Sequence, residues 1–307
     1  MRLLVTGGSG FLGRFVLAEA TRRGHECVAL ARSDAAAAAV AAQGATPLRG
    51  SLDNATKLPE LFAAADAEAL VNLASLGFGH APGIVAAAER SGLSRGVFIS
   101  TTAVTTSLAA RSRAIRLGAE ETIRDSGLKW TILRPTMIYG APGDRNLSRL
   151  LTVLRKTPVL PVPGGGGRLQ QPVHVADLAD AVLASVQQPA AAGRRYDVAG
   201  PEPLTFADLL RACAGAVGSR TRLVPVPLGP TVAALRGLER LSRWPWIRAE
   251  QLERLAEDKA FAIDDAARDL GYRPRPFADG IRAEAIALGL VTAPPTPAST
   301  PIQGRNV

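Results

Sequence analysis

Cysteine is scarce: the chain has two in 307 residues, Cys27 and Cys213. They lie far apart and inside predicted elements, so they read as buried free thiols, and a reducing cytoplasm suits them better than a disulfide framework. Long apolar runs are missing as well. Nothing approaches the roughly 18 residues of a membrane span, and the apolar stretch at residues 2–6 is cut off by glycines too early for a signal peptide. The expectation is a soluble cytoplasmic protein with no membrane insertion. Aromatics make up 5% of the chain, and no basic run interleaved with aromatics occurs, although the net charge is +9 and the pI near 10.5. The positive charge is scattered through apparent helices and loops. That argues against a nucleic-acid partner and for an anionic cofactor and an anionic small-molecule substrate. No residue pattern asks for a metal.

Hydrophobic residues at 47% and charged residues at 21% are ordinary globular usage, enough for a sizeable core. The first half alternates short apolar runs with helical patterns. Strands are expected at 2–6, 27–31, 46–48, 69–74, 96–100 and 130–134, and helices at 11–23, 35–43, 58–64, 83–91 and 113–125. Uninterrupted strand–helix units imply right-handed crossovers and an α/β fold, a doubly wound parallel sheet of Rossmann type that binds ligands at the carboxyl ends of its strands. A smaller, mainly helical C-terminal substrate lobe follows. The boundaries expected are 1–140 with 168–200 for the Rossmann domain, and 141–167 with 201–290 for the lobe. Residues 158–167 read as a loop, and the Pro-, Thr- and Ser-rich 291–307 as a disordered tail. The oligomeric state stays open between monomer and homodimer.

The strongest motif is Thr6-Gly7-Gly8-Ser9-Gly10-Phe11-Leu12-Gly13, directly after a strand and opening a helix. Gly7 permits the tight turn, Gly10 lets the backbone approach a pyrophosphate, and Gly13 lets the helix sit close to the sheet. The free amides at the helix start, including those of Phe11 and Leu12, then face phosphate. Where a site selective for NAD would place Asp or Glu, the second strand ends in Ala31-Arg32-Ser33. A guanidinium there pairs with a 2′-phosphate, so NADP(H) is favoured over NAD(H). Leu52 and Asp53 should border the adenine, and Ala74 and Ser75 the cofactor backbone.

With these residues the chain resembles the extended short-chain dehydrogenase/reductases, in particular atypical members of the epimerase/dehydratase type. The similarity spans nearly the whole chain: the glycine motif at 6–13, the fifth strand at 98–102, the sixth strand and nicotinamide-side loop at 133–140, the entry to the substrate lobe at 171–179, and the closing segment at 264–272. It implies cofactor contacts from Pro135, Thr136 and Met137. It also implies a Tyr-x-x-x-Lys pair on the helix before Trp130. Aligned on Glu120, that pair is replaced by Ser112 and Arg116, and no tyrosine precedes Tyr139.

Arg116 can still bind the ribose but is a poor proton donor. Ser112 is a weak acid, and Thr101 and Thr102 at the end of the fifth strand can orient a substrate oxygen. His80, in the loop after the fourth strand, and Tyr139, after the sixth, are the other candidate proton donors. His174 reads as structural. For anchoring an anionic substrate, such as a nucleotide-linked sugar, the candidates are Arg145, Asn146, Arg149, Arg168 and Gln171. The resulting expectation is an NADP-dependent oxidoreductase or epimerase acting on a hydroxyl or carbonyl through a non-standard donor. Its rivals are a catalytically silent cofactor sensor or assembly protein and a non-redox lyase or isomerase.

Overall fold

A computed structural model describes residues 1–106, 111–144, 146–241 and 257–292. In chain order the first half comprises β1 (Arg2–Thr6), α1 (Phe11–Arg22), β2 (Glu26–Ala31), α2 (Asp34–Ala41), β3 (Thr46–Arg49), α3 (Leu58–Ala64), β4 (Ala69–Asn72), α4 (Ala81–Arg90), β5 (Arg95–Ile99), α5 (Arg111–Arg124) and β6 (Lys129–Pro135). Then come β7 (Ile138–Tyr139), α6 (Leu147–Lys156), β8 (Val159–Pro163), β9 (Leu169–Gln170), β10 (Val173–His174), α7 (Val175–Gln187) and β11 (Arg194–Val198). The chain continues through β12 (Leu204–Thr205), α8 (Phe206–Ala216), β13 (Arg222–Val226), α9 (Leu228–Leu241), α10 (Asp264–Leu270) and α11 (Phe277–Ala287).

Seven parallel strands form one sheet in the order β3-β2-β1-β4-β5-β6-β11. The expected doubly wound α/β architecture is what the chain adopts. The order of travel reverses between β1 and β4, and the crevice there is where such sheets take ligands. Strands covered on both faces should be apolar throughout, and Leu3, Leu4 and Val5 are all fully buried. One face is packed by α1 and α7, through residues such as Val16, Leu17, Leu178 and Val182, and the other by α3, α4 and α5, through Phe62, Ile84 and Ile123. At the switch point the Thr6 hydroxyl donates to Asn72 Oδ1 at 2.6 Å. That contact satisfies two polar groups that burial would otherwise penalise.

A third core joins α6, α8 and α11 through Leu151, Leu209, Cys213 and Ile281, and this is the smaller helical lobe. Residues 158–167 depart from the expected loop, because Val159–Pro163 pairs in parallel with Arg222–Val226. Pro161 and Pro163 are two residues apart, so both put their missing N–H on the same edge, which a two-stranded sheet can leave unpaired. The α10 segment packs into the core of the large sheet, with Ala266, Leu270 and Tyr272 buried there. The Tyr272 hydroxyl donates to the Ala199 carbonyl at 2.7 Å. Among the described residues no helix is long and apolar enough to cross a membrane. The expected tail lies outside the described residues from position 293 onward, as does Arg145.

Candidate functional site

The glycine turn is built as its residue types require. Gly7 has φ +74°, and a Cβ there would lie 2.6 Å from the Ala74 nitrogen. At Gly13 a Cβ would lie 2.3 Å from the Gly8 carbonyl oxygen, so no larger residue lets α1 start this close to the turn. The Gly10 amide donates to the Gly7 carbonyl at 3.0 Å, and no side chain caps α1. The first amides of the helix therefore face outward without an intrahelical acceptor, as a phosphate site needs. The Leu12 side chain is buried in the core, so only its backbone could serve a cofactor.

Three adjoining cavities follow the carboxyl ends of the strands. The first, of about 350 Å³, lies between the glycine turn and the ends of β2 and β3, with Arg32, Leu52, Asp53, Ala74, Ser75 and His80 in its wall. The second, of about 710 Å³, shares Ser9 and Gly10 with it and adds Phe11, Arg14, Thr136, Met137, Gly143 and Asn146. The third, of about 570 Å³, shares Thr136, Met137 and Asn146 with the second and is lined further by Thr101, Thr102, Ser112, Arg116 and Arg168. A single trough thus runs from Arg32, past the bare helix amides, to a cluster of hydroxyls and guanidinium groups. An extended dinucleotide followed by a small substrate fits that outline.

In the third cavity the hydroxyls differ in what they have left to give. Thr102, buried, donates to the Pro135 carbonyl at 3.3 Å, so its hydrogen is already committed. Thr101 accepts from the Ala103 amide at 3.2 Å, and Ser112 accepts from Arg116 Nη1 at 2.9 Å. Neither of these two donates a bond among the described residues. The Arg116 guanidinium also lies against the turn after β4, where a Cβ on Gly77 would be 3.2 Å from it. Beneath this cluster, buried Arg134 donates Nε to Glu120 Oε1 at 2.9 Å, and the Ser100 hydroxyl donates to the same oxygen at 2.5 Å. This pair fixes the ends of β5 and β6, from which Thr101 and Thr136 extend.

Several expected site residues lie elsewhere. His80 lines the first cavity, 3.6 Å from Asp53, and is not among the residues lining the third cavity with Thr101. Tyr139 is 1% exposed and packed between His174 and Phe277, and burial drives its hydroxyl pKa above the usual range, so it is a core residue. Gln171 is also structural: its amide donates to the Gly200 carbonyl and its oxygen accepts from the Phe261 amide. Arg149 is exposed on α6 and lines none of the three cavities. Ser33 caps α2 by accepting from the Ala36 amide at 3.2 Å. His174 is structural as expected, its pKa lowered to about 4 by desolvation first and by Arg275 second. Asp258, Lys259 and Phe261 enter the third cavity from a segment that no motif singles out. Arg168 meets Asp258 at 3.1 Å there.

The family described as NAD(P)H-binding matches residues 7–189. A 4-hydroxy-2-methyl-3-oxo-4-farnesyl-3,4-dihydroquinoline-1-oxide ketoreductase of Stigmatella aurantiaca is 28% identical, over 90% of this chain and 92% of that protein. A 2-alkyl-3-oxoalkanoate reductase of Stenotrophomonas maltophilia is 26% identical, over 90% and 95%. Among solved structures, a UDP-glucose 4-epimerase of Thermotoga maritima superposes with a TM-score of 0.73 at 15% identity, covering 94% of this chain and 99% of its own. That likeness concerns the fold.

Proposed function

The chain belongs to the NAD(P)H-binding family, and on that premise we propose that it is a reductase of a ketone carbonyl using NADP(H) in preference to NAD(H). The observation carrying this reading is the continuous trough, with Arg32 at one end and the hydroxyls of Thr101 and Ser112 at the other. Two reductases align with this chain over nearly their full lengths, which favours a ketone over a nucleotide-linked sugar.

Bound along the trough, the reduced nicotinamide would supply hydride to the carbonyl carbon. The chain's own residues supply the rest. The α1 amides hold the pyrophosphate and Arg116 the nicotinamide ribose. Thr101 and Ser112 donate hydrogen bonds to the carbonyl oxygen, polarising it where negative charge develops. Arg116 already donates to Ser112, which favours loss of the serine proton and lets solvent replenish it. Arg168 anchors an anionic group of the substrate, and Asn146 stands between the cofactor and substrate ends of the trough.

The resemblance to the short-chain dehydrogenase/reductases, aligned on Glu120, puts Ser112 and Arg116 where those enzymes carry tyrosine and lysine, and this favours one second reading, a dinucleotide-binding protein without turnover. Incubation with NADPH deuterated at C4 and a panel of aryl ketones, β-keto acids and keto sugars, followed by mass spectrometry, separates the two. Label on the product carbinol carbon is expected. Tight NADPH binding with no label in any product refutes the reductase.

A further inference from the structure

The nicotinamide-side wall of the trough is not part of the sheet. It is residues 140–144 and the first turn of α6, and it is held from two sides. From α1, Arg14 donates Nη2 to the Pro142 carbonyl, with its guanidinium over the Phe11 and Phe15 rings. From the lobe, Glu284 on α11 accepts the Gly140 amide at 2.9 Å on one oxygen and the Ser148 hydroxyl at 2.5 Å on the other. Glu284 is completely buried. Asp144 lines the same cavity, and its carboxylate accepts the backbone amides of Asn146 and Leu147 at 2.6 and 2.9 Å. None of these contacts is needed to form the sheet. Resting on the reading that a dinucleotide fills this trough, we propose that Glu284 is a positioning residue for the cofactor: through Gly140 and Ser148 it latches the wall of the nicotinamide end to the substrate lobe.

The latch is made of a carboxyl group facing a second carboxyl group. Desolvation first, with the negative charge of Asp144 adding to it, raises the Glu284 pKa from 4.5 to about 7. The other titratable groups packed around it are Tyr139 on β7, His174 on β10 and Cys213 on α8, with Asp177 and Arg275 behind them. Burial disfavours ionisation of the tyrosine and thiol and protonation of the imidazole, so these three stay uncharged near neutrality. Loss of the Glu284 proton therefore leaves two carboxylates opposed in a buried site. Their repulsion works against the arrangement that places Gly143 and Asn146 along the cofactor.

The test is calorimetric titration of the full chain with NADPH and with NADH from pH 5.5 to 8.5, on wild type, Glu284→Gln and Ser148→Ala. Glutamine keeps an oxygen acceptor and cannot ionise. Wild-type affinity for both dinucleotides is expected to weaken about tenfold from pH 6 to 8.5, the size of a modest coupling between two sites. Glu284→Gln should hold its pH 6 affinity throughout, and Ser148→Ala should bind more weakly at every pH. Use of NADH removes titration of the 2′-phosphate as a cause. Parallel pH curves for wild type and Glu284→Gln would overturn the latch while leaving the cofactor reading intact. Absence of binding by wild type to either dinucleotide at any pH would overturn both.

Discussion

Replacing Glu284 by Gln should change how stability depends on pH, whether or not a cofactor is present. A carboxyl group that titrates at 4.5 when unfolded and at about 7 when folded holds its proton more tightly in the native state. Its stabilising contribution is complete below pH 4.5 and is lost as pH rises to about 7. Each pKa unit of this rise is worth on the order of 1.4 kcal/mol, and the burial of the side chain keeps solvent from screening it. His174 works in the opposite sense. Its pKa falls from 6.5 to about 4 on folding, so its contribution is present above pH 6.5 and is lost as pH falls toward 4. Between pH 4.5 and 6.5 the two slopes oppose each other. Glu284→Gln removes one of them. Thermal unfolding of the variant should then show a midpoint that climbs across that window, and above pH 7 the variant should be the more stable protein by several degrees. Wild-type and variant midpoints that stay parallel from pH 4.5 to 8 would refute the buried carboxyl pair as described.

Other outcomes follow from single contacts. Arg32→Ala should weaken NADPH binding about tenfold to a hundredfold, the worth of a charged hydrogen bond, and leave NADH binding nearly unchanged; equal loss for both in calorimetry would remove Arg32 from the 2′-phosphate. Arg134→Met leaves the Glu120 carboxylate buried without its guanidinium and should cost about 3–5 kcal/mol of unfolding free energy in urea; a loss under 1 kcal/mol would show the pair to be solvated. Thr101→Ala combined with Ser112→Ala should lower kcat for ketone reduction about a hundredfold or more with little change in NADPH affinity. Unaltered kcat in that double variant would mean the proton comes from elsewhere.

The residues differ in how far their roles could be read before folding. Residues 6–13 carry their own instructions, because the turn, the close approach of α1 and the free amides all arise within eight consecutive residues. The alternation of apolar runs and helical patterns likewise predicts the parallel sheet, since strands covered on both faces must be apolar along their length. Strand 159–163 escaped because its prolines suggest a loop, while a two-stranded sheet has an edge that accommodates them. His80 and Tyr139 both follow strands at the ligand edge, yet one lines the first cavity beside Asp53 and the other belongs to a core.

What the sequence determined by itself is whatever depends on neighbours along the chain: the glycine turn, the strand–helix rhythm, and the guanidinium of Arg32 after the second strand. What only the tertiary structure decided is which distant groups meet. Glu284 reaches Gly140 and Ser148, and Asp258 meets Arg168 at the mouth of the third cavity. Those encounters depend on how the lobe packs against the sheet. Packing is a property of buried surfaces summed over the whole molecule, and no local spacing records it.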